Sequence, residues 1–352
     1  MPGSQITNID KFLDECLCSN IGKAKMPEWA RVQMKAEKVL AARMMAGFRL
    51  KANKAVKKAA NMAGKGFTDT EIVKTVKAQM KNIFSENQIK RFNKDIVRYY
   101  KSDRQIAVND FKIDIADDID AVTIKGKLIH KADKDLDIAF DLKDQEIVRL
   151  VLAQNLIAAQ NLYKAGLSAH VVSVIRSIMR NTGLSNADQK KLITSEMSKA
   201  LGLKKGKIEL EKTVPPKFNG DAKGYYTGLA QTTLTRAQSM GRLNLFSQGT
   251  FEKYMISAII DTRTSHICLS MDGRTFTIEQ GQEQMENVLT AKSSDELKQV
   301  AGWRKDLSAF GVKNQDDFKT GPRSASTSKS LADAGMALPP YHFRCRSTIR
   351  PV

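Results

Sequence analysis

Apolar residues recur every three or four positions from Trp29 to Ala60, which is the spacing of a helix that buries one face. Pro27 stands where the first turn of a helix tolerates proline, and Gly64 and Gly66 follow the last apolar position. This pattern predicts one long amphipathic helix that ends near the two glycines.

Two further helix starts follow in the same region. Thr68 has a glutamate, Glu71, three residues later, which is the pattern of a capping box. Ser85 is followed in the same way by Gln88, and apolar positions continue after it at helical spacing as far as Tyr100. The first hundred residues are therefore predicted to be helical throughout.

Between residues 109 and 142 the pattern changes to an alternation of apolar and polar positions, which is typical of half-buried strands. The alternation covers residues 111–115, part of 122–129, and 136–142, with turn-forming residues between them. We predict a small β meander here. Its many carboxylates belong either to a surface that docks on the protein's own basic helices or on a basic partner, or to an ordinary solvated sheet face.

Helical spacing returns over residues 145–205. A linker is predicted at residues 213–220, where Pro215 and Pro216 cannot continue a helix. A chain of 352 residues has room for roughly two domains, and we place the main boundary at this linker. The elements predicted beyond it are a helix over 225–248, a strand over 254–260, a helix over 291–310 and a loop over 319–329.

Together these elements predict a mostly helical α+β protein. Its predicted organisation is a basic helical region in residues 1–108, a small β meander with helices in residues 109–214, and a compact α+β domain in residues 215–352. Hydrophobic residues make up 42% of the chain, which is enough for a sizeable core.

The net charge of the chain indicates what kind of partner it binds. The chain has 57 Lys and Arg residues against 38 Asp and Glu residues, a net charge of +19, which indicates a polyanion or a strongly acidic protein surface. Four cysteines do not make a disulfide scaffold, and neither a signal peptide nor a membrane-spanning run is evident. We therefore expect folding in a reducing cytoplasm and no membrane partner.

The positive charge is densest near the end of the first long helix. Lys51, Lys54, Lys57 and Lys58 are predicted to form a basic face opposite the apolar stripe. Two interpretations stay open, a surface that binds DNA phosphates and a solvated helix face. Aromatic residues make up 7% of the chain and do not alternate with basic ones, so we expect phosphate contacts rather than base stacking.

Common enzyme motifs are absent from the sequence. The chain has no glycine-rich dinucleotide fingerprint, no zinc-protease helix and no nucleophile elbow. Residues 202–208 are one residue short of a phosphate-binding loop, and Ile208 replaces the hydroxyl that would hold magnesium. We therefore predict no catalytic residues and no required cofactor.

Histidines and cysteines with metal-ligand spacing lie in the C-terminal region. His342 and Cys345 are spaced as one pair of ligands, and His266 with Cys268 would complete a tetrahedral zinc site. Four protein ligands leave no position for a water molecule, so such a zinc would be structural rather than hydrolytic.

A hydrogen-bonded cluster is the alternative to this zinc site. In that arrangement Asp261 pairs with Arg263 or Arg346, His342 donates to a backbone carbonyl, and both cysteines are buried. The sequence does not decide between the two arrangements.

The same region contains an ordered set of motifs. A helix rich in Thr, Arg and Asn leads into a strand, an Asp-x-Arg-Thr turn, a cysteine, an Asp-Gly turn and a closing Pro-Pro-x-His-x-x-Cys-Arg. The residues in these motifs are Asp261, Arg263, Thr264, Cys268, Asp272, Gly273, Phe276, Pro339, Pro340, His342, Cys345 and Arg346. In this order residues 222–352 resemble the C-terminal domain of the phage Mu protein F-like minor head proteins, also called phage head morphogenesis proteins. Members often carry two cysteines near the turn, where this chain has Ser265 and Cys268.

This resemblance implies a structural role inside a phage head. Proteins of that family lie inside the procapsid in few copies, associate with the portal vertex, and support head assembly and DNA packaging or ejection. It implies a virion protein that passes through the host cytoplasm during assembly and has no enzymatic activity. The implied partners are the portal protein, the major capsid protein or both, with packaged DNA as a non-specific partner. The alternative is a non-specific DNA-binding protein that is packaged or ejected with the genome.

Overall fold

The structure is a computed structural model that describes residues 26–117, 142–161, 163, 167–203, 222–249, 251–261, 264–291, 296, 300 and 325–352. These residues form a mostly helical fold with a small antiparallel sheet, which confirms the predicted fold class. Their helices and strands are α1 (Glu28–Ala63), α2 (Asp69–Gln79), α3 (Glu86–Asp117), α4 (Leu142–Asn161), α5 (Ser168–Met179), α6 (Asn186–Ala200), α7 (Ala222–Gln248), β1 (Lys253–Ser257), α8 (His266–Met271), β2 (Thr275–Thr277), α9 (Ile278–Thr290), α10 (Ala325–Asp333) and β3 (Thr348–Pro351).

The predicted helix starts are confirmed, and two of them have side-chain capping contacts. Helix α1 begins after Pro27 and ends before Gly64. Thr68 caps α2 with both hydrogen bonds of the capping box. Ser85 precedes α3, where its hydroxyl accepts a hydrogen bond from the amide of Gln88 at 3.4 Å and its own amide donates to the side chain of Gln88 at 2.8 Å. Among the helices of the described ranges, none has both the length and the apolar character needed to cross a membrane.

Helix α7 lies at the centre of the molecule, where α1, α3 and α4 pack around it. Most of its residues are buried, including polar ones that need hydrogen-bond partners when they leave water. Asp103 on α3 accepts a hydrogen bond from Gln238 at 2.6 Å and two from Arg242 at 2.8 and 2.9 Å. Asp144 on α4 pairs with Arg104 and accepts a hydrogen bond from Asn244 at 2.8 Å. These buried charges therefore join α7 to both neighbouring helices.

The sheet has the order β2-β1-β3, and β1 pairs antiparallel with both neighbours. Tyr254 on β1 lies opposite Phe276 on β2, while Ile256 lies opposite Ile349 on β3. All four side chains are buried, because the sheet packs against α7 through β3. The sheet thereby anchors the segment that precedes β3.

Apolar side chains from helices α1 to α7 and from the sheet form one continuous core. The rings of Phe48 on α1 and Tyr226 on α7, for example, have centroids 5.5 Å apart. The predicted linker at residues 213–220 lies outside the described residues, so the predicted domain boundaries stay a prediction.

The predicted β meander is wrong at its first strand. Residues 111–115 continue α3, which runs without interruption to Asp117. No glycine or proline breaks this stretch, and each residue added to an existing helix gains one more backbone hydrogen bond. Leu142, assigned to the third strand, instead begins α4, and residues 118–141 lie outside the described residues.

Two predictions near the C-terminal end also change. Residues 325–329 were expected to form a loop, but they begin α10, because Leu331 in this helix is buried in the core. Helix α9 was not predicted, although Thr277 and Gln280 form a capping box at its start. The helix predicted over residues 291–310 lies almost entirely outside the described residues.

Candidate metal centre

Helix α8 positions the first cysteine. Ser265 caps this helix, and its hydroxyl accepts a hydrogen bond from the amide of Cys268 at 3.2 Å. Asp272 and Gly273 then turn the chain back toward the sheet. The carboxylate of Asp272 accepts a hydrogen bond from the amide of Ala258 at 2.8 Å, and Gly273 has a φ of 74°, which glycine adopts without strain.

The second half of the site comes from residues 337–346, here called the closing segment. Its turn runs from His342 to Cys345, whose amide donates to the carbonyl of His342 at 3.2 Å. Arg344 has a φ of 68°, which is uncommon for a residue other than glycine. Its amide donates to the hydroxyl of Thr232 on α7 at 3.1 Å, and its guanidinium donates to a backbone carbonyl near the start of α7 at 2.7 Å. Helix α7 therefore holds the turn in place.

Cys268, His342 and Cys345 meet where these two segments come together. The Cys268 Sγ atom lies 3.1 Å from His342 Nε2 and 3.6 Å from Cys345 Sγ, and the hydroxyl of Ser265 lies 2.7 Å from the same Nε2 atom. Nδ1 of His342 lies 2.8 Å from the carbonyl of Phe343, to which it donates. Nε2 is left to accept from the hydroxyl or the thiol when the ring is neutral, and to donate to the Cys268 sulfur as a thiolate when the ring is protonated.

The contacts within the cluster shift its pKa values. The hydrogen bond with Cys345 lowers the pKa of the Cys268 thiol to about 4, against the opposing effect of burial, and His342 adds to this decrease. Burial raises the pKa of Cys345 well above its usual range. Burial acts to lower the pKa of His342, but the contact with Cys268 outweighs it and raises that pKa. These contacts favour the thiolate of Cys268, the form of cysteine that binds metal ions.

The three side chains could hold a metal ion, and their spacing is compatible with zinc. A tetrahedral zinc with Zn–S bonds of about 2.3 Å and a Zn–N bond of about 2.0 Å separates two sulfurs by about 3.8 Å and a sulfur from a nitrogen by about 3.5 Å. The observed separations of 3.6 Å and 3.1 Å are shorter by a few tenths of an ångström. Among the side chains that the structure describes, this is the group of His, Cys, Asp and Glu residues that could hold a metal ion.

The site contains three of the four ligands expected from the sequence. His266 begins α8, and its side chain lies outside the described part of the structure. The neighbouring Ser265 is the residue that contacts His342. The sequence signal for this is the position of Ser265 three residues before Cys268, since a helix cap and the residue three positions later lie close together.

The contacts of the hydrogen-bonded alternative are also present. Asp261 accepts two hydrogen bonds from the guanidinium of Arg346, at 2.6 and 2.7 Å, while Arg263 lies outside the described residues. Thr264 closes the turn by accepting from the amide of Asp261 and donating to the carbonyl of Ile259, both at 2.7 Å. These groups are not part of the three-residue cluster, so the two arrangements are compatible.

A stripe of small residues on α7 was not identified from the sequence as part of the site. Thr235 donates to the carbonyl of Cys345 at 2.9 Å, and its hydroxyl accepts from the side-chain amide of Gln33 on α1 at 2.9 Å. A Cβ atom on Gly228 would lie 2.3 Å from the ring of Phe343, so glycine is required for this close approach. The signal available in the sequence is the helical spacing of Gly228, Thr232 and Thr235.

The four predicted basic residues form the outer side of α1. Lys54, Lys57 and Lys58 are exposed, and Lys51 is half-buried; these four residues are called the lysine face below. Within the described residues, no acidic side chain forms an ion pair with them. Buried small residues on the opposite side of the helix are Ala52, Ala55, Val56 and Ala59. The lysine face begins 18 residues, or roughly 27 Å, along α1 from Gln33, which contacts the closing-segment region through Thr235.

Two features of the described chain are therefore suited to binding, the cysteine cluster and the lysine face. No protein-family model, curated protein or solved structure matches this chain. Function is therefore inferred from the chemistry of these two features and from the contacts of the motif residues.

Proposed function

We propose that this protein is a structural minor head protein of a tailed phage, bound inside the head near the portal. In this role it supports head assembly and DNA packaging or ejection, with the portal protein, the major capsid protein or both as partners. The proposal starts from the motif order in residues 222–352, which resembles the phage Mu protein F-like family.

The observation that carries the proposal is the use of the motif residues to hold the chain together. Asp261 and Arg346 join the two ends of the motif through a bidentate ion pair. His342 and Cys345 contact Cys268 across 74 and 77 positions of sequence. A motif whose polar groups contact one another inside the protein suits a scaffold that presents other surfaces to its partners.

We also propose that the protein is not an enzyme. The pair of Cys268 and His342 has the contact of a nucleophile and its base, but the side chain of Cys268 is buried, with 4% exposure. Cys345, on the other side of Cys268, is fully buried. A substrate larger than a few atoms would have to displace the closing segment to reach the Cys268 sulfur.

A structural zinc bound by Cys268, His342 and Cys345 is part of the proposal. Such an ion would link α8 to the closing segment and would bind the thiolate that the cluster already favours. We expect about one zinc per chain after purification without chelator, and much less in the Cys268→Ser/Cys345→Ser double variant, by metal analysis. A wild-type protein that folds without metal after growth in zinc would contradict the zinc site. Hydrogen bonds alone would then hold the closing segment against α8.

The head role is tested by co-expression with the portal protein of the same phage. Salt at about 0.5 M screens contacts between charges but leaves apolar contacts in place. Because we expect the assembly contacts to bury apolar surface, the two proteins should co-purify at this salt concentration. The major capsid protein is the second bait, and an unrelated portal is the control. Purification of the chain without either partner, at low and high salt, would contradict the proposal.

A second candidate function is non-specific DNA binding, and the exposed lysine face is the observation that favours it. Four lysines within eight residues, without acidic partners in the described structure, attract phosphates. Each phosphate contact releases counterions, so binding should weaken steeply as salt rises. This role and the head role are compatible in a protein that lies beside packaged DNA.

The DNA interface is tested by changing the lysine face to glutamate. We expect the variant with Glu at positions 51, 54, 57 and 58 to bind duplex DNA at least tenfold more weakly than wild type at low salt, with a smaller salt dependence. The matched control changes four exposed lysines on other elements, Lys90, Lys94, Lys253 and Lys329, to glutamate. Equal losses in the two variants would show that net charge, and not this face, governs binding.

A further inference from the structure

The two thiols of the cluster face each other across a long stretch of sequence. The sulfur atoms of Cys268 and Cys345 are 3.6 Å apart, although 77 positions separate the residues. One cysteine lies on α8 and the other in the closing segment, so any bond between them would connect two separate parts of the fold. Both are free thiols in this structure.

The surroundings leave one side of this pair less covered than the other. The side chain of Cys345 is fully buried, and Cys268 has 4% exposure, while Ser265 and His342 beside Cys268 are half-buried. A small oxidant therefore reaches Cys268 past Ser265 and His342. Cys345, behind it, is placed to react with whatever forms on Cys268.

We propose that Cys268 and Cys345 form a site of reversible oxidation, at which a small hydroperoxide converts the two thiols into an intramolecular disulfide. The inference concerns the cysteine pair itself and does not depend on the proposed head role. It is independent of the zinc proposal too, although the two share their sulfur atoms.

The chemistry balances in two steps. The Cys268 sulfur attacks one peroxide oxygen and the O–O bond breaks; with hydrogen peroxide this gives a sulfenic acid on Cys268 and one water, and the thiol proton ends on that water. The Cys345 sulfur then attacks the Cys268 sulfur, the S–O bond breaks, and a second water leaves with the Cys345 proton. The two thiols lose two electrons, which reduce the peroxide. His342 Nε2, 3.1 Å from Cys268 Sγ, is placed to carry the first proton.

A disulfide at this position would exclude zinc, because both sulfurs would lose their capacity to bind the ion as thiolates. The covalent bond would connect the closing segment to α8 in place of the metal contact. The protein would therefore keep its closing segment attached in a reducing, zinc-containing compartment and in an oxidising one.

The test uses the full chain with Cys16 and Cys18 changed to serine, so that the described pair supplies the remaining thiols. The protein is treated with chelator and then with a stoichiometric amount of hydrogen peroxide. We expect an intact mass lower by two hydrogens, no thiols available for alkylation in denaturant, one linked peptide containing Cys268 and Cys345, and full reversal by dithiothreitol.

Two comparisons make the result decisive. In the same background, Cys345→Ser should stop the reaction at a sulfenic acid on Cys268 that a dimedone probe captures, while Cys268→Ser should react much more slowly. Two alkylatable thiols after peroxide treatment, or disulfides between chains instead of within them, would overturn the proposal. Zinc loaded beforehand should slow the oxidation; oxidation at an unchanged rate, with the disulfide still formed, would support this proposal while contradicting the zinc site.

Discussion

Gly241 on α7 shows how one missing side chain permits a helix contact. A Cβ atom at this position would lie 2.7 Å from the ring of Tyr100 on α3. Replacing glycine with alanine normally stabilises a helix by about 1 kcal/mol, but overpacking a core costs about 1–3 kcal/mol. We therefore expect Gly241→Ala to lower the free energy of unfolding, by up to about 2 kcal/mol, measured by urea denaturation.

Gly64 supplies the matched control for this change. It has helical dihedral angles at the end of α1, and its added Cβ would meet the flexible side chain of Lys190 at 3.1 Å. Because that side chain can move aside, Gly64→Ala should leave stability unchanged or raise it slightly. Equal effects of the two substitutions would mean that the contact with Tyr100 is unimportant.

At the same scale, the sequence predicts the composition of the site better than its contacts. The spacing of His342 and Cys345, together with Cys268, predicts the cluster, because residue types and spacings typical of metal ligands can be identified in the sequence. The pairing of Asp261 with Arg346 was one of two predicted options and is confirmed. The contacts of Thr232 and Thr235 were missed, because a buried hydroxyl on a helix has no local pattern that names its partner.

Among the elements, α3 and α7 are joined by a buried ion pair. Asp103 and Arg242 have side chains exposed by 2% and 4%, and Arg242 also donates to the carbonyl of Ile349 on β3 at 3.1 Å. Removing one partner leaves the other charge buried without compensation. We expect Asp103→Ala to lower the free energy of unfolding by about 3–5 kcal/mol, measured by chemical denaturation.

The control for this prediction removes both charges. An Asp103→Leu/Arg242→Met double variant replaces the pair with apolar groups, so we expect it to regain much of the stability that Asp103→Ala loses. The double variant still lacks the hydrogen bond to Ile349, and recovery should therefore be incomplete. A double variant no more stable than Asp103→Ala would contradict this account.

The helices were more predictable from sequence than the strands, for a physical reason. Helix starts such as Thr68 and Ser85 carry their own caps, so the information is local. The alternation over residues 111–115 is too short to exclude a helix, and the preceding turns of α3 decide the outcome. Strand β3 forms because β1 lies beside it, a condition that its four residues do not reveal.

For the whole molecule, the shared core predicts cooperative unfolding. The ring of Trp29 on α1 lies 5.8 Å from the guanidinium of Arg242 on α7. The fluorescence of Trp29 therefore reports whether α1 is packed against α7. In a Trp303→Phe variant Trp29 is the remaining tryptophan. We expect its fluorescence and the far-ultraviolet circular dichroism to give one midpoint in urea.

The same experiment tests the predicted division into regions at residues 108 and 214. If these regions are independent domains, the fluorescence of Trp29 should change at a different urea concentration from the helical signal as a whole. Coincident transitions would instead mean that the boundaries separate parts of one cooperative unit.

The packing of α1 against α7 also has a consequence for synthesis of the chain. Gln33 contacts Thr235, a residue made 202 positions later. At about 5–20 residues per second, a ribosome needs roughly 10–40 s to cover that distance. During this time the apolar stripe of α1 has emerged without the helix that covers it. The nascent chain should therefore be a substrate for chaperones that bind exposed apolar helices until α7 is complete.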